Sequence, residues 1–220
     1  MKMVKKYLPV IIITSLLTLL PIVFGFIIWG RLPEPMPTHF NAAGEADGFM
    51  PKAVAVFALP AAMLLVHIVC IVMTLIDPKR RNIDGKPFLM VLWICPVMSI
   101  LVSGFMYAYA LGMNVNITTG MFIALGIMLI ILGNYLPKCG QNYSIGIKAP
   151  WALNDEDNWR ATHRFGGKVY VAAGVATVIL AFFVTASKVL FWVYFAVVMI
   201  ACGLPAVYSY VYYLKHGKKE

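Results

Sequence analysis

The chain has 220 residues, of which 61% are hydrophobic and only 12% are charged. Soluble globular domains are about half apolar and about a quarter charged, so this composition excludes a water-soluble fold. The formal net charge is +9. In a soluble protein this surplus would suggest a nucleic-acid partner, but membrane proteins collect lysine and arginine on one side of the bilayer. The sequence therefore predicts a membrane protein with lipid, and no direct nucleic acid, as its partner.

Six segments are long enough to cross a membrane. A helix needs about twenty mostly apolar residues to span a hydrocarbon core of roughly 30 Å. None of the six segments contains Asp, Glu, Lys or Arg. They are Leu8–Trp29, Ala53–Ile76, Phe88–Leu111, Gly120–Leu136, Val169–Ala186 and Val189–Leu214. Backbone polar groups cannot stay unpaired in lipid, so these segments predict helices. The predicted fold is an all-α membrane protein with six transmembrane helices.

The lysines and arginines between these segments predict the orientation, because cytoplasmic loops are enriched in them. One set of loops holds fifteen: Lys2, Lys5, Lys6, Lys79, Arg80, Arg81, Lys86, Lys138, Lys148, Arg160, Arg164, Lys168, Lys215, Lys218 and Lys219. The other set holds three: Arg31, Lys52 and Lys188. We therefore expect a multi-pass protein of the cell membrane with both termini in the cytoplasm.

The first outer loop, residues 30–52, is a candidate recognition surface. Pro33, Pro35 and Pro37 hold its first half extended. The residues expected to reverse the chain are Asn41, Gly44, Asp47 and Gly48. A stiff loop loses less entropy on binding, which favours recognition.

The same loop holds three potential metal ligands. His39, Glu45 and Asp47 match no known ligand spacing. We therefore predict no metal site, and a structural role in which His39 bonds to the backbone.

The long inner loop predicts a short interfacial helix. Asn154 precedes three acidic residues, a pattern typical of a helix start. Trp159 and His163 then lie four residues apart on one face, and Gly166 and Gly167 are expected to end the helix before the fifth span. The pattern fits either a lipid-facing anchor or a docking surface for a partner or ligand, and physics alone does not separate the two.

His67 is the one ionisable side chain within the six segments other than cysteine and tyrosine. Ion-coupled transport normally requires such groups at depth, so an ion-coupled or small-molecule transporter is an alternative function. A neutral histidine bonded to a neighbouring hydroxyl is the favoured interpretation. Catalytic motifs such as GxSxG and HExxH are absent from the sequence, so we expect no enzyme and no cofactor.

Two separated motifs resemble the SdpI-type immunity proteins of Gram-positive bacteria. The inner motif consists of Gly133, Asn134, Tyr135, Pro137, Lys138, Asn142, Tyr143, Gly146, Pro150, Trp151, Leu153, Trp159, Thr162, His163, Arg164 and Gly167. The outer motif consists of Leu32, Pro33, Pro37, His39, Phe40, Gly44 and Asp47. One departure is Lys148, where many relatives carry arginine.

The resemblance implies protection of the cell from a secreted peptide toxin, and a receptor role that holds a cytoplasmic transcriptional repressor at the membrane. It implies two modules, residues 1–87 with two spans and residues 88–220 with four. The implied toxin-binding residues are Pro37, His39, Phe40, Asn41, Gly44 and Asp47. The implied cytoplasmic motif is Asn134, Pro137, Asn142, Gly146, Pro150, Trp151, Trp159, His163, Arg164 and Gly167.

Overall fold

The computed structural model describes residues 2–216, so Lys218 and Lys219 of the orientation argument lie outside the described residues. Its helices are α1 (Lys2–Ile27), α2 (Lys52–Ile76), α3 (Lys86–Ala110), α4 (Ile117–Tyr135), α5 (Pro150–Asn154), α6 (Glu156–Ala181) and α7 (Lys188–His216). Strands β1 (Met36–Phe40) and β2 (Ala46–Met50) form a hairpin between α1 and α2.

Six of these helices are long and apolar enough to cross a membrane, namely α1, α2, α3, α4, α6 and α7. The predicted all-α fold with six spans is therefore confirmed, with the small hairpin as an addition. The fifth span differs most from its prediction, since α6 begins at Glu156 and ends at Ala181. The cytoplasmic location of the termini stays a prediction.

The chain forms two compact units. The first holds residues up to 75 and residues 88–121, and the second holds residues 76–87 and 122 onward. In the first unit, buried polar groups join the helices: Ser99 donates to the carbonyl of Thr18 at 2.8 Å, and Tyr107 donates to that of Pro21 at 3.0 Å. The module boundary at residue 87, which the family resemblance implies, concerns sequence modules rather than these spatial units and stays a prediction.

In the second unit, glycines bring α4 and α6 into backbone contact. A Cβ atom placed on Gly174 would lie 2.6 Å from the carbonyl oxygen of Gly126, and one on Gly167 would lie 2.7 Å from that of Gly133. The two glycines of α4, Gly126 and Gly133, are seven residues apart, and so are Gly167 and Gly174 of α6. The lack of side chains at these glycines thus permits the close approach of the two helices.

The predicted separate interfacial helix is wrong in form. The chain is extended at Asp155, whose side chain caps α6 by accepting from the N–H of Asp157 at 2.9 Å, so Asn154 is not the cap. α6 then continues through Gly166 and Gly167 without a break. Because these glycines lie where neighbouring groups approach closely, their lack of a side chain serves helix packing rather than a turn.

Candidate functional site

The outer loop forms the β1–β2 hairpin. Met36 lies opposite Met50, Pro37 opposite Phe49, and His39 opposite Gly48. The strands go beyond the expected extended loop, since proline and glycine are unfavourable in strand interiors. Two-stranded pairing accommodates them, and the register shifts on either side of His39.

Asn41 and Gly44 form the hairpin turn, as predicted from the sequence, whereas Asp47 and Gly48, also expected to reverse the chain, lie in β2. The side-chain oxygen of Asn41 accepts from the N–H groups of Ala43 at 2.9 Å and Glu45 at 3.1 Å. Gly44 has a φ of +85°, which a residue with a Cβ rarely adopts. The turn is thus specified locally by these two residues.

His39 contacts Asp47 rather than the backbone, which corrects the prediction. Its Nδ1 atom lies 2.5 Å from a carboxylate oxygen of Asp47, and the side chains are 75% and 44% exposed. A Cβ atom on Gly48 would lie 2.8 Å from the Cβ of His39, so a small residue is required opposite the imidazole. His39 and Asp47 thus form an exposed polar pair across the two paired strands.

The hairpin contacts α3 and α4 of the first unit through side chains. The ring of Phe40 meets that of Tyr109 edge to face at 4.9 Å, and Thr118 donates to the carbonyl of Asn41 at 3.1 Å. Phe49 and Met50 are 56% and 48% exposed. The surface therefore combines two exposed apolar side chains with the His39–Asp47 pair.

An apolar cavity of about 410 Å³ lies next to the hairpin. Its lining includes Phe40 and Met50 from the hairpin and Met106, Ile117 and Met121 from the helices. Methionine side chains adapt to the shape of what they contact. The cavity is large enough for an apolar side chain of a ligand.

The inner motif builds a buried bonded cluster around Trp159 and His163, which are 0% and 1% exposed. The indole N–H of Trp159 donates to the carbonyl of Cys139 at 2.9 Å. His163 Nδ1 lies 2.8 Å from the carbonyl of Trp159, and Nε2 accepts from the N–H of Ile147 at 3.0 Å. A carbonyl can only accept, so Nδ1 carries the proton and the imidazole is neutral.

Asn142 and Gly146 shape the loop that covers this histidine. Asn142 is fully buried and its side-chain oxygen accepts from the N–H groups of Ser144 at 2.9 Å and Ile145 at 2.7 Å. Gly146 has a φ of +110°, and a Cβ there would collide with His163 Nε2. The inner motif is thus largely a folding motif, with its buried members unable to contact a partner.

Asp77 anchors the same loop and was missed by the sequence reasoning. Its carboxylate accepts from the N–H of Tyr143 at 2.9 Å, the hydroxyl of Ser144 at 2.6 Å and the N–H of Lys79 at 2.7 Å. Burial opposes the charge, but these hydrogen bonds outweigh it and hold the pKa of Asp77 below its ordinary value. The available signal was a single acid directly after a span.

Among the remaining motif residues, Asn134, Pro137, Pro150 and Arg164 are exposed, Trp151 is half-buried and Gly167 is buried. Trp151 packs on Tyr210 at 4.8 Å, and Pro150 occupies the first turn of α5. Residues Asn134, Pro137, Arg164 and Gly167 line one open groove of about 760 Å³. The sequence did not predict this groove.

His67 is buried in α2 and lies 3.1 Å from the hydroxyl of Thr14, as the favoured interpretation predicted. That hydroxyl donates to the carbonyl of Val10 at 2.8 Å, so it accepts from the Nε2–H of His67. The Nδ1 atom has no hydrogen-bond partner among the described residues. Across residues 2–216, no three His, Cys, Asp or Glu side chains are grouped to hold a metal.

Six apolar helices of spanning length define this chain as a multi-pass protein of the cell membrane. Residues 138–209 match the SdpI/YfhL protein family, and residues 16–64 match a domain of unknown function, DUF1648. The chain is 28% identical over 208 residues to the immunity protein SdpI of Bacillus subtilis (strain 168), covering 93% of this chain and 96% of that relative. No solved structure matches. The resemblance to the SdpI-type proteins is therefore confirmed.

Proposed function

We propose that this chain is a non-enzymatic membrane immunity protein that protects its cell from a secreted peptide toxin, with the β1–β2 hairpin as the toxin-contacting surface. The observation that carries the proposal is the exposed combination of Phe49, His39 and Asp47 on a hairpin that side chains of the first unit hold in place. A held surface with an aromatic anchor suits recognition, because little entropy is lost on binding.

The neighbouring cavity supports an apolar anchor on the toxin. Its lining near the hairpin is formed by side chains such as Phe40, Met50 and Met106. A toxin that acts on the membrane carries apolar side chains, and one of these would fill the cavity while a polar group meets His39 and Asp47. The name of the Bacillus subtilis relative, an immunity protein, agrees with this role.

The experiment is survival of Bacillus subtilis lacking its own SdpI, grown beside the wild-type strain, with and without this protein. We expect protection by the wild-type chain. Phe49→Ser should reduce the tolerated toxin dose about thirtyfold, because removing an aromatic anchor from an interface costs about 2 kcal/mol. Met113→Ser is the matched control, since Met113 is 58% exposed in the α3–α4 connection.

The outcomes separate the parts of the proposal. Absence of protection by well-inserted wild-type protein, also against supernatant from its own host, contradicts the immunity role. Equal loss in the Phe49 and Met113 variants contradicts only the assignment of the hairpin. The transporter alternative gains support instead if the protein drives ligand flux in proteoliposomes without protecting cells.

We propose further that the cytoplasmic end, as implied by the resemblance, holds a transcriptional repressor through surface residues of the inner motif. Trp159 and His163 are buried, so the available contacts are Tyr143 of the motif and Lys148, the position that departs from it. Lys148→Glu should release a fluorescent repressor from the membrane while immunity is retained. Unchanged recruitment would contradict this surface.

A further inference from the structure

One groove of the second unit carries two basic side chains. Arg164 and Lys168 lie one turn apart on α6 and are exposed, and Asn134 faces the same groove. Among residues 2–216 neither cation makes an ion pair, while Glu156, an acid of the same helix, is bonded to Arg160 at 2.5 Å. The groove thus presents two uncompensated charges and an amide.

The groove continues into an apolar surface. Val171 and Ala172 extend its lining beyond Lys168, and further along the same face Val175 and Ile179 are 46% and 57% exposed. From Lys168 to Ile179 the helix rises about 16 Å. This length is close to half of a hydrocarbon core of roughly 30 Å. This face of α6 is cationic at Lys168 and apolar toward Ile179. One leaflet of a bilayer changes in the same order, from charged headgroups to apolar acyl chains.

The floor of the groove depends on glycine. Gly133 and Gly167 lie at the backbone contact of α4 and α6, where a Cβ would not fit. Phe165 and Tyr208 form one wall by stacking at 4.3 Å. A fixed wall and floor distinguish this groove from a patch of mobile surface lysines.

We infer that this groove binds one anionic phospholipid, with the phosphate at Arg164, Lys168 and Asn134 and an acyl chain along Ala172, Val175 and Ile179. Arginine and lysine both suit phosphate oxygens, and an asparagine amide adds a donor. Basic pockets at the ends of transmembrane helices recognise anionic headgroups. The apolar continuation selects a lipid over free phosphate.

The test uses the full chain in nanodiscs of phosphatidylcholine with or without phosphatidylglycerol, and native mass spectrometry to measure retained lipid. We expect one phosphatidylglycerol to be retained. Arg164→Gln with Lys168→Gln should weaken retention about thirtyfold, since each basic residue contributes about 1 kcal/mol near an anionic surface. Arg80→Gln with Arg81→Gln removes the same charge from an exposed connection and should have no effect.

A second variant tests the acyl path without changing charge. Ala172→Phe fills the exposed surface beyond the cations and should reduce lipid retention. Inorganic phosphate should not raise the melting temperature of the wild-type protein or of this variant. Equal retention of phosphatidylcholine, equal losses in both double variants, or stabilisation by inorganic phosphate alone would overturn the inference.

Discussion

The Nε2 atom of His163 accepts a hydrogen bond from the backbone N–H of Ile147 at 3.0 Å, sixteen residues earlier in the chain. The sequence suggests that His163 is part of a docking surface, but this hydrogen bond shows that it holds the loop around Ile147 in place. Because both ring nitrogens are bonded, His163 joins α6 to the loop through one neutral side chain. This contact makes the inner motif a determinant of stability.

Replacing His163 should therefore destabilise the protein rather than remove a ligand. His163→Ala leaves the Ile147 N–H without its partner and creates a cavity, so we expect the free energy of unfolding to fall by about 3 kcal/mol. Denaturant titration in mixed micelles measures this loss. Arg164→Ala, at the neighbouring exposed position, should change stability little. Equal stability of both variants would contradict the account.

The contribution of Asp77 should depend on pH. Its pKa is held below the ordinary value of 3.8 in the folded protein, chiefly by the Ser144 hydroxyl acting against burial. A lowered folded pKa gives stability that is present above the unfolded value and is lost as the pH falls through the folded one. Wild-type stability should decline in acid below about pH 4.

Two variants test that pH dependence. Asp77→Asn should be less stable at neutral pH and lack this acid-dependent decline, because it has no carboxylate to protonate. Ser144→Ala removes the strongest favourable contact of the carboxylate. Its acid-dependent decline should be smaller and end at a higher pH than that of the wild type, because the folded pKa lies nearer the unfolded one. Parallel melting curves of Asp77→Asn and wild type at every pH would refute this role.

The contact between α4 and α6 should not accept a methyl group. Gly174→Ala places a Cβ against the backbone of Gly126, which cannot yield as a flexible side chain would. We expect a loss of about 2 kcal/mol, as for other overpacked contacts. Gly203→Ala in α7 is the control, because nothing lies within 4 Å of the position that its Cβ would occupy. Thermal unfolding that shows equal effects would contradict close packing here.

His67 should contribute to helix packing and not to coupled transport. Its Nε2–H donates to Thr14, so His67→Gln retains a donor and should preserve both membrane expression and toxin survival. Survival and proton flux in proteoliposomes are measured on the same variant. Wild-type proton flux that disappears with His67→Gln would favour the transporter alternative instead.

The spans were predictable because they depend on local composition. The turn was predictable as well, since Asn41 and Gly44 specify it through their own conformations. The burial of Trp159 was not, because a helical periodicity is the same whether the apolar face meets lipid or protein. Asp77 and Tyr143 are 66 residues apart, and no local pattern predicts that pairing.

The central claim, that the hairpin faces the outside and meets the toxin, is tested most directly by thiol labelling of whole cells. The background carries Cys202→Ser, because Cys202 is exposed, whereas Cys139 is buried and its burial raises the pKa of its thiol to about 11. The His39→Cys variant should react with a membrane-impermeant maleimide, and toxin-containing supernatant should slow that reaction. The Lys148→Cys variant should react only after permeabilisation. Labelling of Lys148→Cys but not His39→Cys in intact cells would contradict the account.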